Sequence, residues 1–400
     1  MGDPLRERLE AERRRILAAR ARHESEVPVR FLRQTSHFTT PASNEANILK
    51  AAQGLGFAEK ILAKSGLAVG AVARALGVPE ATVASLLASG RTPPLVVIDG
   101  EDATALDPAV MSVGRANAVG AFSQLATPGS LLFYRPSGIE LEHCLEDLFF
   151  VIEKTAEVTR GRRFPIDGIS WPKTEDADEL RFLDEVLREL EARHEIPKVR
   201  VHFLVESGRA VSRIEALVDA ILPRLAGIVF GIADYSADVG LPEVRNDHPV
   251  CDAARMAIVN AAGAANVPAI DAMTFEYPVK DASLDAAANE KKILGALRRC
   301  YDDARHGLAL GMEGKWVGHP LQLLANELAY RDLVSAATVE ADVRDARAYL
   351  AAVAKGRGAA MIGGRMADRA TDRHVRRRLR RARAHGLLAE DVARELGVSE

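Results

Sequence analysis

The sequence predicts an α/β protein built on a (β/α)8 TIM barrel, with a small helical insertion after the first helix and a C-terminal helical extension. Short apolar, β-rich runs alternate with longer segments of helical period, which is the pattern of repeated βα units. Eight such runs are present, the number that closes a barrel of this type. The length of 400 residues exceeds the roughly 250 of a simple barrel, so the chain has room for both additions.

The eight predicted strands are rich in Val, Ile, Leu and Phe, and most of them end in polar residues. They cover 34–40, 95–101, 131–135, 168–172, 199–205, 227–232, 269–273 and 314–317. Helices are predicted between them at 44–51, 176–191, 212–222, 251–264 and 283–305. The helix at 176–191 has the clearest pattern, because Leu180, Leu183 and Leu187 share one face and acids occupy its first turn.

These elements divide the chain into three predicted regions. Residues 1–32 form a charged helical N-terminal extension, and residues 33–325 form the barrel, with the helical insertion at about 56–93. Residues 326–400 are helical in pattern and form a C-terminal lid or oligomerisation segment.

Composition indicates an ordinary enzyme of the cytoplasm. The formal net charge of −3 gives no global attraction to nucleic acid or to an anionic membrane. The three cysteines, Cys144, Cys251 and Cys300, are widely spaced and form no CxxC pair, which argues against a disulfide framework or a cysteine zinc site. No signal peptide or membrane-spanning run is predicted.

Two predicted strands end in a carboxylate, Glu206 and Asp234. A carboxylate at the end of a buried strand needs a cation or hydrogen-bond donors, because leaving it unpaired is costly. The pair therefore suggests a shared metal, although structural ion pairs would give the same pattern. Other strand ends carry further charged residues, namely Asp99, Glu101, Asp102, Arg135, Lys173 and Asp271. Acids mixed with Arg and Lys at that end of a barrel favour an anionic substrate held against Mg²⁺, with Mn²⁺ as the alternative ion.

Several short motifs follow one another along the chain. They are Val97-Ile-Asp-Gly-Glu-Asp102 with Arg115, Pro172-Lys173, Val205-Glu-Ser-Gly-Arg209, Gly231-Ile-Ala-Asp234, Ala269-Ile-Asp271, Gly314-Lys-Trp316 with His319-Pro320, and the tail segment 356–368. In this order they resemble the HpcH/HpaI aldolase superfamily, in its citrate lyase β-subunit and malyl-CoA lyase branch.

The resemblance implies a Mg²⁺-dependent acyl-CoA lyase of the malyl-CoA, methylmalyl-CoA or citramalyl-CoA type, acting on an acyl-CoA and a 2-oxo acid. It implies that Glu206 and Asp234 are metal ligands, that Arg135 contacts the oxo acid, and that Asp368 is a catalytic acid/base carried over a neighbouring subunit. A homo-oligomer, trimer or hexamer, is therefore expected. Residues expected around the substrate are Asp99, Glu101, Asp102, Arg115, Lys173 and Asp271.

The sequence departs from the family pattern at three places. The loop after Arg135 continues with Pro136-Ser137, the tail has Gly363-Gly364 before its aspartate, and the insertion at about 56–93 is additional. Substrate choice is thereby left open, and two other functions remain as alternatives. One is a CoA-independent, metal-dependent 2-oxo acid aldolase, and the other is a non-catalytic protein that senses a CoA ester.

The insertion and the C-terminus carry related segments, 66–80 and 386–400, identical at nine of fifteen positions. Both are similar to the first helix and turn of a helix-turn-helix. Residues 66–90 contain only Arg74 and Glu80 as charged residues, whereas DNA phosphates require several bases. We therefore interpret the segments as small helical packing units rather than as nucleic-acid binders.

Overall fold

The barrel predicted from the sequence is present. The computed structural model describes residues 4–21, 27–101, 107–125 and 129–398. Its eight barrel strands are β1 Ser36–Pro41, β2 Leu95–Asp99, β3 Leu131–Arg135, β4 Gly168–Trp171, β5 Arg200–Val205, β6 Leu225–Phe230, β7 Ala269–Asp271 and β8 Gly314–Val317. Each strand pairs in parallel with the next, and β8 pairs with β1 to close the barrel. The predicted strands are thus confirmed, and several end earlier than expected because their last residues already belong to loops.

Helices surround the barrel and form the two additions. Before the barrel come α1 Pro4–Ala21 and the 3-10 helix Val29–Leu32. The barrel and insertion helices are α2 Glu45–Ala51, α3 Leu55–Ser65, α4 Val69–Leu76, α5 Glu80–Ala88, α6 Pro108–Gln124, α7 Cys144–Val158, α8 Ala177–His194, α9 Gly208–Ser212, α10 Ile214–Ile221, α11 Ile232–Asp238, α12 Pro249–Ala265, α13 Ala286–Leu310 and α14 Pro320–Tyr330. The tail contains α15 Ala336–Ala354, the hairpin strands β9 Ala360–Ile362 and β10 Arg365–Ala367, α16 Arg369–Ala384 and α17 Glu390–Glu395. None of the described helices is both long and apolar enough to cross a membrane.

The main core lies between the barrel strands and the helices around them. Strands β2, β3 and β6 are buried along their whole lengths, as expected for parallel strands covered on both faces. The insertion forms α3, α4 and α5 and packs on α13 and α14 through a second apolar cluster. That cluster includes Leu62, Val72 and Leu87 from the insertion and Leu297 and Leu324 from the barrel helices.

The predicted boundary at 325 falls inside α14, which belongs to the barrel. The Asn326 side chain donates to the Thr35 carbonyl at 2.7 Å, so the second half of α14 is tied to the start of β1. The following helices α15, α16 and α17 have an apolar core of their own, which includes Val339 and Leu379. Helix α16 docks on the barrel where Arg377 approaches Glu313, just before β8. The tail unit therefore lies at the amino-terminal end of the strands.

Candidate active site

Glu206 follows β5 at the carboxyl end of the barrel and is only 6% exposed. Its Oε2 accepts a hydrogen bond from the Lys173 backbone N–H at 2.7 Å. Lys173 adopts a left-handed backbone with a φ of 46°, which is unfavourable for a residue with a side chain. Gly231 follows β6, and a Cβ there would lie 2.3 Å from Glu206 Oε1. Both loops are thus shaped around this carboxylate.

The electrostatic surroundings of Glu206 disfavour a lone carboxylate. Burial raises the pKa of Glu206 to about 8, while Arg135 and the Lys173 N–H act in the opposite direction. The nearby acids Asp234 and Glu101 raise the pKa further. A cation beside Glu206 would offset both the burial and the repulsion between the acids.

Glu206 opens on a cavity of about 480 Å³. Its described lining residues are Ile139, Glu140, Lys173, Glu175, Glu179, Glu206, Ser207, Asp234 and Asp238. Six of these residues are acidic and one is cationic, so the cavity attracts cations. Asp234 lies in the first turn of α11 and is exposed to the cavity's solvent.

The donor set fits a hard divalent cation. Glu206 and Asp234 offer carboxylate oxygens on one cavity that also has room for water. Mg²⁺ is usually bound by one or two carboxylates together with water and substrate oxygens. In the ranges that the structure describes, no three His, Cys, Asp or Glu side chains come together as a ready-made metal cage, and a two-carboxylate site does not need one.

Arg135 ends β3 beside this cavity and is held rigidly. Its Nε and Nη2 donate to the two carboxylate oxygens of Asp99 at 2.7 and 2.6 Å, and its guanidinium lies 5.2 Å from the Trp316 ring centroid. Its Nη1 is 3.1 Å from Glu101 Oε2, and Glu101 also pairs with the Lys173 ammonium. These contacts therefore form one chain of charges that leads to Glu206, made of Asp99, Arg135, Glu101 and Lys173.

Two other residues predicted near the substrate lie elsewhere. Arg115 bonds Asp147 at 2.7 Å, and Asp147 also accepts from the Ser137 N–H at 3.0 Å, so Arg115 supports the loop after β3 from behind. Asp271 pairs with Arg255 at 2.8 Å and lies against α13, where a Cβ on Gly307 would be 2.6 Å from its Oδ2. Asp102 lies outside the described residues.

Asp368 is not brought to the cavity of its own chain. It is half-buried and is the N-cap of α16, where its Oδ1 accepts from the backbone N–H groups of Ala370 and Thr371, each at 3.0 Å. These bonds, first that of Thr371, lower the pKa of Asp368. Helix α16 docks near Glu313, at the opposite end of the barrel from the acidic cavity. Asp368 would therefore contact such a cavity only in a second copy of the chain.

Several cavity residues were not predicted from the sequence. Glu140, Glu175, Glu179 and Asp238 line the cavity with the predicted pair. The available signal was position, since each lies within eight residues of the end of the preceding barrel strand. Asp238 also has a structural role, because its Oδ2 accepts a hydrogen bond from the Gly208 N–H at 2.7 Å.

Comparison of the sequence with known proteins shows which family it matches. Residues 87–320 match the family described as HpcH/HpaI aldolase/citrate lyase. A malyl-CoA/β-methylmalyl-CoA/citramalyl-CoA lyase of Chloroflexus aurantiacus is 28% identical over 232 residues, which cover 56% of this chain and 64% of the relative. An L-malyl-CoA/β-methylmalyl-CoA lyase of Haloarcula marismortui is 24% identical and covers 58% and 65%. The chain thus spans just under two thirds of the length of these two relatives. The corresponding enzyme of Cereibacter sphaeroides is 26% identical over 296 residues, covering 68% and 82%.

Solved structures share the fold. A citrate lyase of Burkholderia xenovorans LB400 superposes with a TM-score of 0.57 at 20% identity, covering 79% of this chain and 91% of the other. The protein CitE of Mycobacterium tuberculosis, in complex with magnesium, acetoacetate and coenzyme A, gives a TM-score of 0.50 at 20% identity and covers 87% and 98%.

Proposed function

We propose, from the premise that this chain belongs to the HpcH/HpaI aldolase/citrate lyase family, that it is a divalent-cation-dependent lyase of CoA thioesters. The reaction is the reversible Claisen cleavage of a 3-hydroxyacyl-CoA into an acyl-CoA and a 2-oxo acid. Malyl-CoA, methylmalyl-CoA and citramalyl-CoA are the substrates we favour, because the relatives that match are lyases of such compounds. The observation that carries the proposal is the buried Glu206 carboxylate, which shares an acidic cavity with Asp234 beside the fixed guanidinium of Arg135.

Glu206 and Asp234 would hold the cation. A cation bound there, Mg²⁺ or Mn²⁺, would polarise the carbonyl of the 2-oxo acid and stabilise the negative charge that develops on its oxygen. The Lys173 N–H keeps Glu206 in place for this purpose.

Arg135 would bind the carboxylate of the oxo acid. A guanidinium is permanently charged and planar, so it suits an oxyanion. Asp99 accepts from Nε and Nη2, and Nη1 lies near Glu101, so the oxo acid would approach Arg135 from the Nη1 side. Asp99 is therefore a positioning residue that sets the angle of the guanidinium.

Asp368 would act as the acid/base of a neighbouring subunit in a homo-oligomer. In condensation it would take the proton from the acyl-CoA α-carbon, and the resulting enolate would attack the carbonyl carbon of the oxo acid. In cleavage it would take the hydroxyl proton, so that the carbon–carbon bond breaks and the electron pair leaves as the enolate. Its lowered pKa keeps the carboxylate ionised, the form that an acceptor of protons needs.

A CoA-independent 2-oxo acid aldolase is the second candidate. It is favoured by one observation, that Asp368 lies away from the cavity within its own chain, since such an aldolase would keep the cation and Arg135 but not need this aspartate.

The test is an assay of the purified chain with acetyl-CoA or propionyl-CoA against glyoxylate or pyruvate, with and without Mg²⁺. We expect a 3-hydroxyacyl-CoA product, followed by chromatography, only when the cation is present. Asp368→Asn should then lose this activity while the protein remains folded. Aldol activity on free oxo acids that survives Asp368→Asn would favour the second candidate, and the absence of both reactions would refute the assignment of the cavity.

A further inference from the structure

A second cavity lies at the opposite, amino-terminal end of the barrel. It has a volume of about 520 Å³ and lies between α5 of the insertion, α14 and the end of α16. A smaller chamber of about 280 Å³ adjoins it and shares Arg91, Glu327 and His385 as lining residues. Arg33 and Arg91 precede β1 and β2, so this double cavity is separate from the carboxylate cavity at the other end of the strands.

Positive charge dominates this double cavity. Among the described lining residues, Arg33, Arg91 and Arg331 are opposed by one acid, Glu327. The Oε1 of Glu327 also accepts from the hydroxyls of Thr35 and Ser36 at 2.8 and 2.6 Å, which fix its position without cancelling its charge. Arg331 Nε lies 3.5 Å from Asp332 Oδ1, so the three guanidinium groups still outnumber these two carboxylates.

Two lining side chains also have a buried nitrogen without a hydrogen-bond partner. They are Arg331 Nη1 and His385 Nε2. Buried polar atoms are nearly always hydrogen-bonded in folded proteins, so each such atom calls for an explanation. Arginines lie close to His385. Burial, together with the positive charges of Arg33, Arg381 and Arg91, lowers the pKa of His385 to about 4.

Neutral donors complete the wall. Thr82 and Ser85 of α5 line the cavity with their hydroxyls, whereas the hydroxyls of Ser89 and Thr92 already donate to the Leu86 and Gly129 carbonyls. Arginines combined with hydroxyls form the usual surroundings of phosphate and carboxylate oxygens, since both groups donate hydrogen bonds.

We propose that this double cavity binds a small organic or inorganic anion with at least two negative charges, carried by phosphate or carboxylate groups. The anion neutralises the excess of the arginines and accepts from the unpaired nitrogens of Arg331 and His385. The site is built from the insertion, the barrel and the tail together, so binding fastens the tail unit to the barrel.

The experiment is isothermal titration of the full chain with inorganic phosphate, pyrophosphate and succinate, at constant ionic strength and after divalent cations have been removed with a chelating resin that is then separated from the protein. We expect saturable binding of at least one of them, and the preferred anion identifies phosphate or carboxylate as the group recognised. Arg91→Ala and Arg331→Ala should each weaken binding about tenfold, as expected for the loss of one charged hydrogen bond. Arg74→Ala is the matched control, because Arg74 is an exposed arginine of the same insertion outside the cavity lining, and its affinity should not change.

Two further measurements separate binding from folding. Hydrogen exchange of α16 and α17 should slow when the anion is added to the unmodified chain, because the tail is held more firmly. Ser85→Asp, which places a carboxylate in the cavity, should abolish anion binding while the chain keeps its thermal stability. The proposal would be overturned if none of the three anions bound, or if Arg91→Ala bound them as strongly as the unmodified chain. It would also be overturned if chloride at the same ionic strength abolished the binding.

Discussion

Replacing Asp99 with asparagine should release Arg135 from its fixed orientation while keeping the shape of the side chain. The Asp99 carboxylate receives two parallel hydrogen bonds from the Arg135 guanidinium, at 2.7 and 2.6 Å, and the two side chains are 1% and 5% exposed. Removing one partner of a buried pair costs about 3–5 kcal/mol, and the lower end of this range applies here because Glu101 remains beside Arg135. Asparagine retains one acceptor oxygen, so we expect the free energy of unfolding to fall by about 3 kcal/mol.

The variant Glu191→Gln is the matched control. Glu191 holds the buried Arg224 with two hydrogen bonds, at 2.5 and 2.9 Å, at the amino-terminal end of β6. Urea denaturation should show similar losses of stability in both variants. Only Asp99→Asn should lower kcat/KM for the oxo acid, by about tenfold or more, since one charged hydrogen bond to substrate is worth about 1.5–3 kcal/mol. Equal kinetic losses in the two variants, or none in Asp99→Asn, would show that Asp99 does not position a substrate-binding arginine.

Four further outcomes are expected. Glu206→Ala and Asp234→Ala should each abolish Mg²⁺-dependent turnover and weaken Mg²⁺ binding in equilibrium dialysis; near-normal activity at limiting Mg²⁺ would remove them from the cation site. Arg135→Lys should lower kcat/KM for the oxo acid although the charge is kept, because an ammonium cannot reproduce the planar contact; an unchanged value would place the oxo acid elsewhere. Mixed Asp368→Ala and Arg135→Ala subunits should regain activity once native mass spectrometry has shown subunit exchange, and an inactive mixture after exchange would exclude donation between subunits. Burial and nearby arginines lower the pKa of His385 from 6.5 to about 4, so between these pH values the folded chain binds fewer protons than the unfolded chain. The free energy of unfolding should therefore fall by up to about 3 kcal/mol as the pH is lowered through this range. His385→Gln should flatten this pH dependence in urea denaturation, and an unchanged slope would contradict the assignment.

The barrel could be predicted because its signals are local. The strands β3 and β8 lie at the predicted residues, since their apolar runs are bounded by polar or glycine residues on both sides. The helix predicted at 176–191 begins one residue later, at Ala177, after its N-cap Asp176, which forms a reciprocal capping box with Glu179. In the same way, the acids at the strand ends predicted a site at one end of the barrel, because parallel strands bring all their carboxyl ends to one face.

The sequence alone therefore determined the order of the elements, the closed barrel and the end of it at which charged residues collect. Only the tertiary structure decided which of those residues meet. Asp271 ends a strand as Asp99 does, yet it lies against α13 and pairs with Arg255, because successive side chains of a strand point to opposite faces and the register of the barrel selects between them. The docking of α16 at Glu313, which carries Asp368 away from its own cavity, was likewise decided by contacts between residues distant in the chain, and no local pattern encodes such contacts.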